Sequence, residues 1–283
     1  MSEVKISAAD VNKLRQTTGA GMMDCKKALV EAEGDFDAAI DYLRKKGQKV
    51  AANRADRETK EGVCLAFTSH NRNSGIVFKL TCETDFVAKN DSFVALANEV
   101  GAILLKNLPN SSEEAMVLPF NSSMTVAEKM IEQTGVIGEK IEIANYAKIE
   151  TAAGAGQVLP YIHMGNRAAV IVALNLEGPE YVEAGKNAAM QVAAMRPVAV
   201  DKDGVNSTMI EKEIEIGKEL ARQEGKPEAM LDRIAQGRLE KFYKESTLLN
   251  QQFVKDGSLT VAAYLQSMDK NLTVTAFEHV ALG

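Results

Sequence analysis

The chain has 283 residues, a length typical of two domains, and 46% of them are hydrophobic, so it can bury a sizeable core. Its 33 basic and 39 acidic residues give a net charge of −6, which argues against a protein that coats nucleic acid. Three cysteines without a CxxC pair are typical of reduced thiols, and no segment has the pattern of a signal peptide or a membrane span. We therefore expect a cytoplasmic protein.

The N-terminal residues predict three short helices. Ser7, with Asp10 three positions later, is typical of a capped helix start, and this first helix should end near Thr17, because Gly19-Ala20-Gly21 disfavours a helix. Apolar residues at helical spacing predict a second helix from about 23 to 32 and a third from 35, which stops at Gly47. A module of this size has a thin core, and such modules usually bind another protein.

The middle of the chain contains an internal repeat. The segment Gly62–Glu83 can be laid on Gly156–Glu177 at a constant offset of 94 residues. Each copy predicts a strand, a polar turn and a second strand, and an apolar helix follows each copy at about 93–106 and 181–195. A further strand over Glu139–Thr151 could belong to either of the two resulting sheets.

The last third of the chain changes character. Apolar residues at helical spacing on both sides of Gly225-Lys226-Pro227 predict two helices joined by a short turn, which is an antiparallel helical hairpin. Its narrow apolar seam leaves two alternatives open: the hairpin projects from the body, or it lies along the core. Residues 248–283 then predict a strand, a turn, a short helix and a last strand.

These elements predict an α+β protein whose core consists of two similar antiparallel-sheet and helix subdomains. The predicted organisation, in chain order, is a three-helix module at 1–50, a linker at 51–61, a first core subdomain at 62–138, a second one at 139–197 and 246–283, and a helical hairpin inserted at 198–245.

The usual patterns of catalysis are absent from the sequence. The three histidines, His70, His163 and His279, have no cysteine or second histidine at zinc-ligand spacing. There is no phosphate-binding G-x-x-x-x-G-K-[ST] loop and no G-x-S-x-G nucleophile turn. Glu83 and Asp85 are more typical of a solvated edge than of an acid and base pair. We therefore predict no cofactor, no metal site and no active site of an enzyme.

Two segments are candidates for contact with a partner. In Thr84–Asn90, between a strand and a helix, Phe86 could be a core residue or could protrude beside an acidic neighbour. In Gly19–Met23, two adjacent methionines on a glycine-flanked turn cannot both face a small core. At least one of them is therefore expected at the surface, where methionine provides an adaptable contact.

The same residues carry a family resemblance. Leu14–Leu29 (LRQTTGAGMMDCKKAL) resembles the N-terminal signature of the elongation factor Ts family, the exchange factors for elongation factor Tu in bacterial translation, and Cys82–Asn90 (CETDFVAKN) resembles its second signature. Shorter matches follow in order at Ile137-Gly138-Glu139, Tyr161-Ile162-His163, Gly165-Asn166-Arg167, Ala193–Pro197, Gly225-Lys226-Pro227 and Gln236-Gly237-Arg238. Asn166 adds one residue to the commonest family pattern.

The resemblance implies a fold and a function. It implies an N-terminal module like a ubiquitin-associated domain, a core of two subdomains and an inserted helical hairpin. It also implies an exchange factor that binds elongation factor Tu in its GDP-bound and nucleotide-free forms, displaces Mg²⁺ and disturbs the phosphate-binding loop, so that GDP leaves and GTP can be loaded. In some members the hairpin mediates self-association, which leaves a homodimer through the hairpin open here.

The resemblance further implies which residues contact the partner. Thr84, Asp85, Phe86 and Val87 would form the segment that dislocates Mg²⁺, with Phe86 in an apolar pocket of the nucleotide domain. The other implied contacts are Ile137 and Gly138 near the phosphate loop, Arg15, Met22 and Met23 on a helix of the same domain, and His163 on a different domain.

Two competing functions remain open. The first is a tethering or interaction protein with the same fold and no exchange activity. The second is a hydrolase that uses His163 or His70 in a turn.

Overall fold

The structure, a computed structural model, describes residues 5–283 and confirms the predicted α+β fold. The helices are α1 (Ala8–Thr18), α2 (Met22–Glu31), α3 (Phe36–Asn53), α4 (Asp85–Ala88), α5 (Asp91–Asn107), α6 (Ser112–Val117), α7 (Val126–Ile137), α8 (Val182–Met195), α9 (Ser207–Gln223), α10 (Leu231–Ser246) and α11 (Val261–Met268). The strands are β1 (Glu61–Thr68), β2 (Ser74–Cys82), β3 (Glu142–Glu150), β4 (Gln157–Ile162), β5 (Ala168–Leu174), β6 (Gln252–Phe253), β7 (Asp256–Thr260) and β8 (Val274–Ala281).

The start of the three-helix module follows its sequence signals. The hydroxyl of Ser7 accepts the backbone N–H of Asp10, and the Asp10 carboxylate accepts the backbone N–H of Ser7, so the predicted capping box is present. Gly19 ends α1 in the left-handed region at φ 70°. Leu14 and Leu29 are fully buried in the small core of the module. Its likeness to a ubiquitin-associated domain stays a prediction.

The predicted end of α3 at Gly47 is wrong, because the helix continues to Asn53. Gly47 is buried where α3 packs on α7, and a Cβ there would lie 3.3 Å from the carbonyl oxygen of Ile131. A glycine usually weakens a helix, but here the close approach of the second helix stabilises α3 through this position. The sequence had not indicated α6 and α7 as separate helices.

The internal repeat is confirmed by a shared backbone constraint. Gly62 and Gly156 are equivalent in the two copies and have φ of 146° and 124°. Gly62 is the second residue of β1, and Gly156 directly precedes β4. A Cβ on Gly62 would lie 2.2 Å from the carbonyl oxygen of Leu80, and one on Gly156 would lie 1.9 Å from that of Leu174. Leu80 and Leu174 are themselves equivalent at the offset of 94 residues. Both copies therefore require glycine for the same reason.

The described strands form three small sheets. One has the order β1-β2-β3, so the strand predicted within Glu139–Thr151 joins the first copy of the repeat. The second has the order β4-β5-β8, with antiparallel pairing on both sides of β5. Strands β6 and β7 form an antiparallel ribbon. The fully buried β5 packs against α8, which accounts for its continuous apolar sequence.

The chain divides into two compact units. The first contains the described residues up to Cys64, together with Phe78–Tyr146 and Leu282–Gly283, and the second contains Leu65–Val77 and Ala147–Ala281. The domain boundaries given by the sequence stay a prediction. Among the described residues, no helix combines the length and the apolar character needed to cross a membrane.

The helical hairpin predicted within 198–245 is confirmed in the second unit. Helices α9 and α10 pack on each other, with Gly217 of α9 facing Ala235 of α10. Lys218 pairs with Asp232 at 2.7 Å across the hairpin, and Arg238 pairs with Glu224 at 2.7 Å.

Candidate functional site

The turn that carries Phe86 is the short helix α4. Its N-cap is Thr84, whose hydroxyl lies 3.5 Å from the backbone nitrogen of Val87. Ala88 at the end of α4 is buried, whereas the Phe86 side chain is 84% exposed. The alternative that Phe86 is a core residue is therefore wrong. A large apolar side chain held at the surface in a capped turn is typical of a contact residue.

Asp85 lies beside Phe86 and is held by its own helix. Its carboxylate accepts a hydrogen bond from Nζ of Lys89 at 2.6 Å. This bond lowers the pKa of Asp85 below its ordinary value, so Asp85 is negatively charged at neutral pH.

Hydrogen bonds join this turn to the end of α7 through a set of polar side chains that we name the Glu83–Glu139 cluster. Its members are Arg54, Glu83, Thr84, Glu139 and Lys140. Arg54 donates to both carboxylate oxygens of Glu83, at 2.7 and 2.9 Å. Burial raises the pKa of Glu83, but the hydrogen bonds from the Lys140 N–H and from Arg54 outweigh it and lower the pKa overall. Glu83 is therefore not the solvated edge residue that its sequence context indicated.

Ile137 and Gly138 lie where α7 ends. Gly138 takes φ 82°, and its N–H donates to the carbonyl of Thr134 at 2.9 Å. Both residues are half-buried. The next residue is Glu139, so the end of α7 leads directly into the Glu83–Glu139 cluster. The sequence did not single out Arg54, Glu83 or Glu139 as site residues. The signals near them were the second signature at Cys82–Asn90, which contains Glu83, and the match at Ile137-Gly138-Glu139.

The two adjacent methionines are both exposed, Met22 by 51% and Met23 by 75%. They begin α2, and the preceding Ala20 is buried, so the turn directs the chain into the core and leaves the methionines outside. Arg15, near the end of α1, is also exposed. The expectation that at least one of the two methionines lies at the surface is therefore confirmed.

His163 lies in the second unit, in the loop between β4 and β5, and is exposed. Its Nδ1 is 3.1 Å from the hydroxyl of Tyr161, where a catalytic triad needs a carboxylate. The neighbouring Met164 is 88% exposed and had not been singled out. Asn166 in the same loop takes a left-handed φ of 56°, which asparagine tolerates.

The first unit thus contains nine of the ten residues that the resemblance implied. They are Arg15, Met22, Met23, Thr84, Asp85, Phe86, Val87, Ile137 and Gly138. Among residues 5–283, no group of three or more metal-ligating side chains is placed to hold an ion. The arrangement presents an apolar side chain and a charged neighbour on a fixed turn, which suits recognition of a protein surface.

Comparisons with known proteins agree with this architecture. The family described as Elongation factor TS matches residues 83–283. Elongation factor Ts of Flavobacterium psychrophilum is 53% identical over 278 residues, which cover 98% of this chain and 99% of that protein. Elongation factor Ts of Christiangramia forsetii is 53% identical over 279 residues and covers 99% of both chains.

A more distant relative, elongation factor Ts of Chlorobaculum tepidum, is 42% identical over 287 residues and again covers 99% of both chains. The similarity therefore extends over nearly the whole chain, including the three-helix module, the repeat and the helical hairpin. By its sequence, the chain belongs to the elongation factor Ts family.

Proposed function

We propose that the chain is a guanine-nucleotide exchange factor for elongation factor Tu and is not an enzyme with an active site of its own. In this proposal it acts in the cytoplasm, binds elongation factor Tu in its GDP-bound and nucleotide-free forms, and promotes GDP release so that GTP can be loaded. Family membership supports the proposal. The observation that carries it is the exposed Phe86 on a turn anchored by the buried Ala88.

The first step is insertion of Phe86 into an apolar pocket of the partner. Burial of an exposed phenylalanine side chain contributes about 1.5–3 kcal/mol to binding. Because Thr84 caps α4 and Ala88 is buried, the turn is already ordered before binding, and little conformational entropy is lost.

The second step acts on the bound nucleotide. Asp85 is charged and lies beside Phe86, so it reaches the groups around the partner's Mg²⁺ when Phe86 is docked. Ile137 and Gly138 disturb the phosphate-binding loop. Loss of Mg²⁺ removes the main positive charge that neutralises the diphosphate. Binding of the chain and binding of GDP are therefore reciprocally coupled, and each weakens the other.

The remaining contacts add affinity. Arg15, Met22 and Met23 bind a helix of the partner's nucleotide domain, and His163 binds a different domain; all four are exposed. A stripe of exposed apolar residues on α9 supports self-association through the hairpin: Met209, Ile216 and Leu220.

Stopped-flow release of a fluorescent GDP from purified elongation factor Tu, with and without the chain, tests the proposal. We expect the chain to accelerate release and the Phe86→Ala variant to be about 10- to 150-fold slower, the effect of losing about 1.5–3 kcal/mol. Val117→Ala, which truncates another exposed apolar side chain of the first unit, is the control and should leave the rate unchanged.

The outcomes separate the competing functions. Normal release with Phe86→Ala would contradict the role given to this side chain. Binding of elongation factor Tu without faster GDP release indicates a tethering protein. Turnover of a small substrate that is lost in His163→Ala indicates a hydrolase.

A further inference from the structure

Two carboxylates hold the Phe86 turn to the end of α7 in a reciprocal way. Glu139, which follows Gly138, accepts the backbone N–H groups of Glu83 and Thr84 on one carboxylate oxygen, at 3.1 and 3.0 Å. Glu83 in turn accepts the backbone N–H of Lys140 at 2.7 Å. The segment Glu83-Thr84 and the segment Glu139-Lys140 therefore each provide a carboxylate that accepts backbone N–H groups of the other segment.

The same cluster reaches the cap of α4. The second oxygen of Glu139 accepts the hydroxyl of Thr84 at 2.7 Å, and that hydroxyl is the N-cap that faces the backbone N–H of Val87. A displacement of Glu139 therefore changes the start of the helix that carries Phe86. Charge-assisted hydrogen bonds of this kind are stronger than neutral ones and fix orientation.

The Glu83–Glu139 cluster is also held by α3 and α7. The side chain of Glu83 is only 17% exposed and carries the two hydrogen bonds from Arg54, which directly follows α3. Glu139 follows α7, whose last turn is closed by Gly138 and where the hydroxyl of Thr134 accepts the N–H of Ile141 at 3.3 Å. The two segments proposed to act on the partner's nucleotide site are thus joined before any partner binds.

We propose that Glu139 is a positioning residue for nucleotide exchange: through the Glu83–Glu139 cluster it holds the Phe86 turn at a fixed distance from Gly138. This inference rests on the proposed exchange function. Glu139 does not touch the partner or the nucleotide in this scheme. It keeps Phe86 and Gly138 in one arrangement, so that docking of Phe86 also places Gly138 at the phosphate-binding loop of the partner. Such preorganisation affects the rate of release more than the affinity.

The main experiment measures GDP release from elongation factor Tu at saturating concentrations of the Glu139→Ala variant. We expect about tenfold slower maximal release, which corresponds to about 1.4 kcal/mol in the barrier, with less than about a twofold change in the half-saturating concentration. Glu139→Gln retains an oxygen for the two N–H groups and should restore most of the rate. Glu132→Ala removes a carboxylate of α7 that pairs with Lys129 and serves as the control.

A double variant separates positioning from a general structural role. If Glu139 acts through Phe86, Glu139→Ala slows release no further once Phe86→Ala is present. If the two effects multiply, or if Glu139→Ala alone releases GDP at the normal rate, the inference is wrong. If the unmodified chain itself fails to accelerate GDP release, the proposed exchange function is wrong, and so is the role proposed for Glu139.

Amide hydrogen exchange of the free chain tests the cluster without a partner. After correction for intrinsic rates, Glu139→Ala should speed exchange at the amides of Glu83 and Thr84 and leave that of Lys140 protected. Glu83→Ala should do the opposite. Unchanged exchange at all three amides in both variants would show that the carboxylates do not hold these segments.

Discussion

Gly47 and Gly135 face each other where α3 packs on α7. A Cβ added to Gly135 would lie 2.5 Å from the Cα of Gly47, closer than a real side chain allows. The absence of side chains at both positions lets the two helix backbones approach directly. This contact fixes α3, the last helix of the three-helix module, against α7, whose end carries Ile137 and Gly138.

We expect Gly135→Ala to destabilise the protein by about 1–3 kcal/mol, because the added methyl group overpacks the contact with Gly47. Urea unfolding followed by circular dichroism measures this change. Gly237→Ala is the matched control: Gly237 is exposed in α10 with no atom within 4 Å of an added Cβ. There the alanine should stabilise by about 0.5–1 kcal/mol. Equal effects at the two sites would contradict the role of the glycine contact.

The exposed methionines of α2 should contribute affinity and not the release step. The double variant Met22→Ala/Met23→Ala is expected to weaken binding of elongation factor Tu about tenfold, a loss of about 1.4 kcal/mol of apolar contact, with an unchanged maximal rate of GDP release. Titration calorimetry gives the affinity and stopped-flow release gives the rate. Met268→Ala, at another exposed methionine, is the control. A lower maximal rate with unchanged affinity would refute this assignment.

Glu83 makes the stability of the first unit sensitive to acid. Its pKa in the folded chain lies below the ordinary value of 4.5, so the ionised form is favoured by folding. The contribution of Glu83 to the free energy of unfolding is fully present above about pH 4.5, the pKa of an unfolded glutamate. It is lost as the pH falls through the lower pKa that Glu83 has in the folded chain. Replacing Glu83 by glutamine should cost about 1–3 kcal/mol at pH 7.

The measurement is urea unfolding of the unmodified chain and Glu83→Gln at pH 7, 5, 4 and 3. Because a protonated Glu83 resembles glutamine, the difference in unfolding free energy should shrink towards low pH. The subtraction cancels the other carboxylates with lowered pKa values, such as Asp10 and Glu128. A difference that stays constant or grows on acidification would count against the ion pair with Arg54.

The cysteines should be unreactive in the native protein. Cys25, Cys64 and Cys82 are all buried, and burial together with the nearby charge of Glu139 raises the pKa of the Cys82 thiol to about 12. Since the thiolate is the reactive form, a disulfide reagent at pH 7.5 should modify no cysteine rapidly in the native chain and three in guanidinium chloride. A thiol that reacts within seconds in the native protein would contradict this burial.

Local signals in the sequence predicted local structure well. The capping box at Ser7 and the glycine at position 19 set the bounds of α1, because a cap depends on residues only three or four positions apart. The repeat was visible because Gly62 and Gly156 meet the same steric limit in both copies. The predicted end of α3 at Gly47 was wrong for the opposite reason. The helix continues beyond Gly47 because this glycine packs against α7, whose residues lie more than 80 positions away in the sequence.

For the candidate site, the sequence alone determined which side chains are available: the signature residues, the paired methionines and the absence of catalytic patterns. It left open whether Phe86 is buried, and only the tertiary structure decided that it is exposed. Glu83 and Glu139 lie 56 positions apart, so no local pattern joins them; the fold places their carboxylates on each other's backbone N–H groups. Periodicity and capping act within a few residues, whereas the exposure and the partners of a side chain depend on which distant segments pack around it.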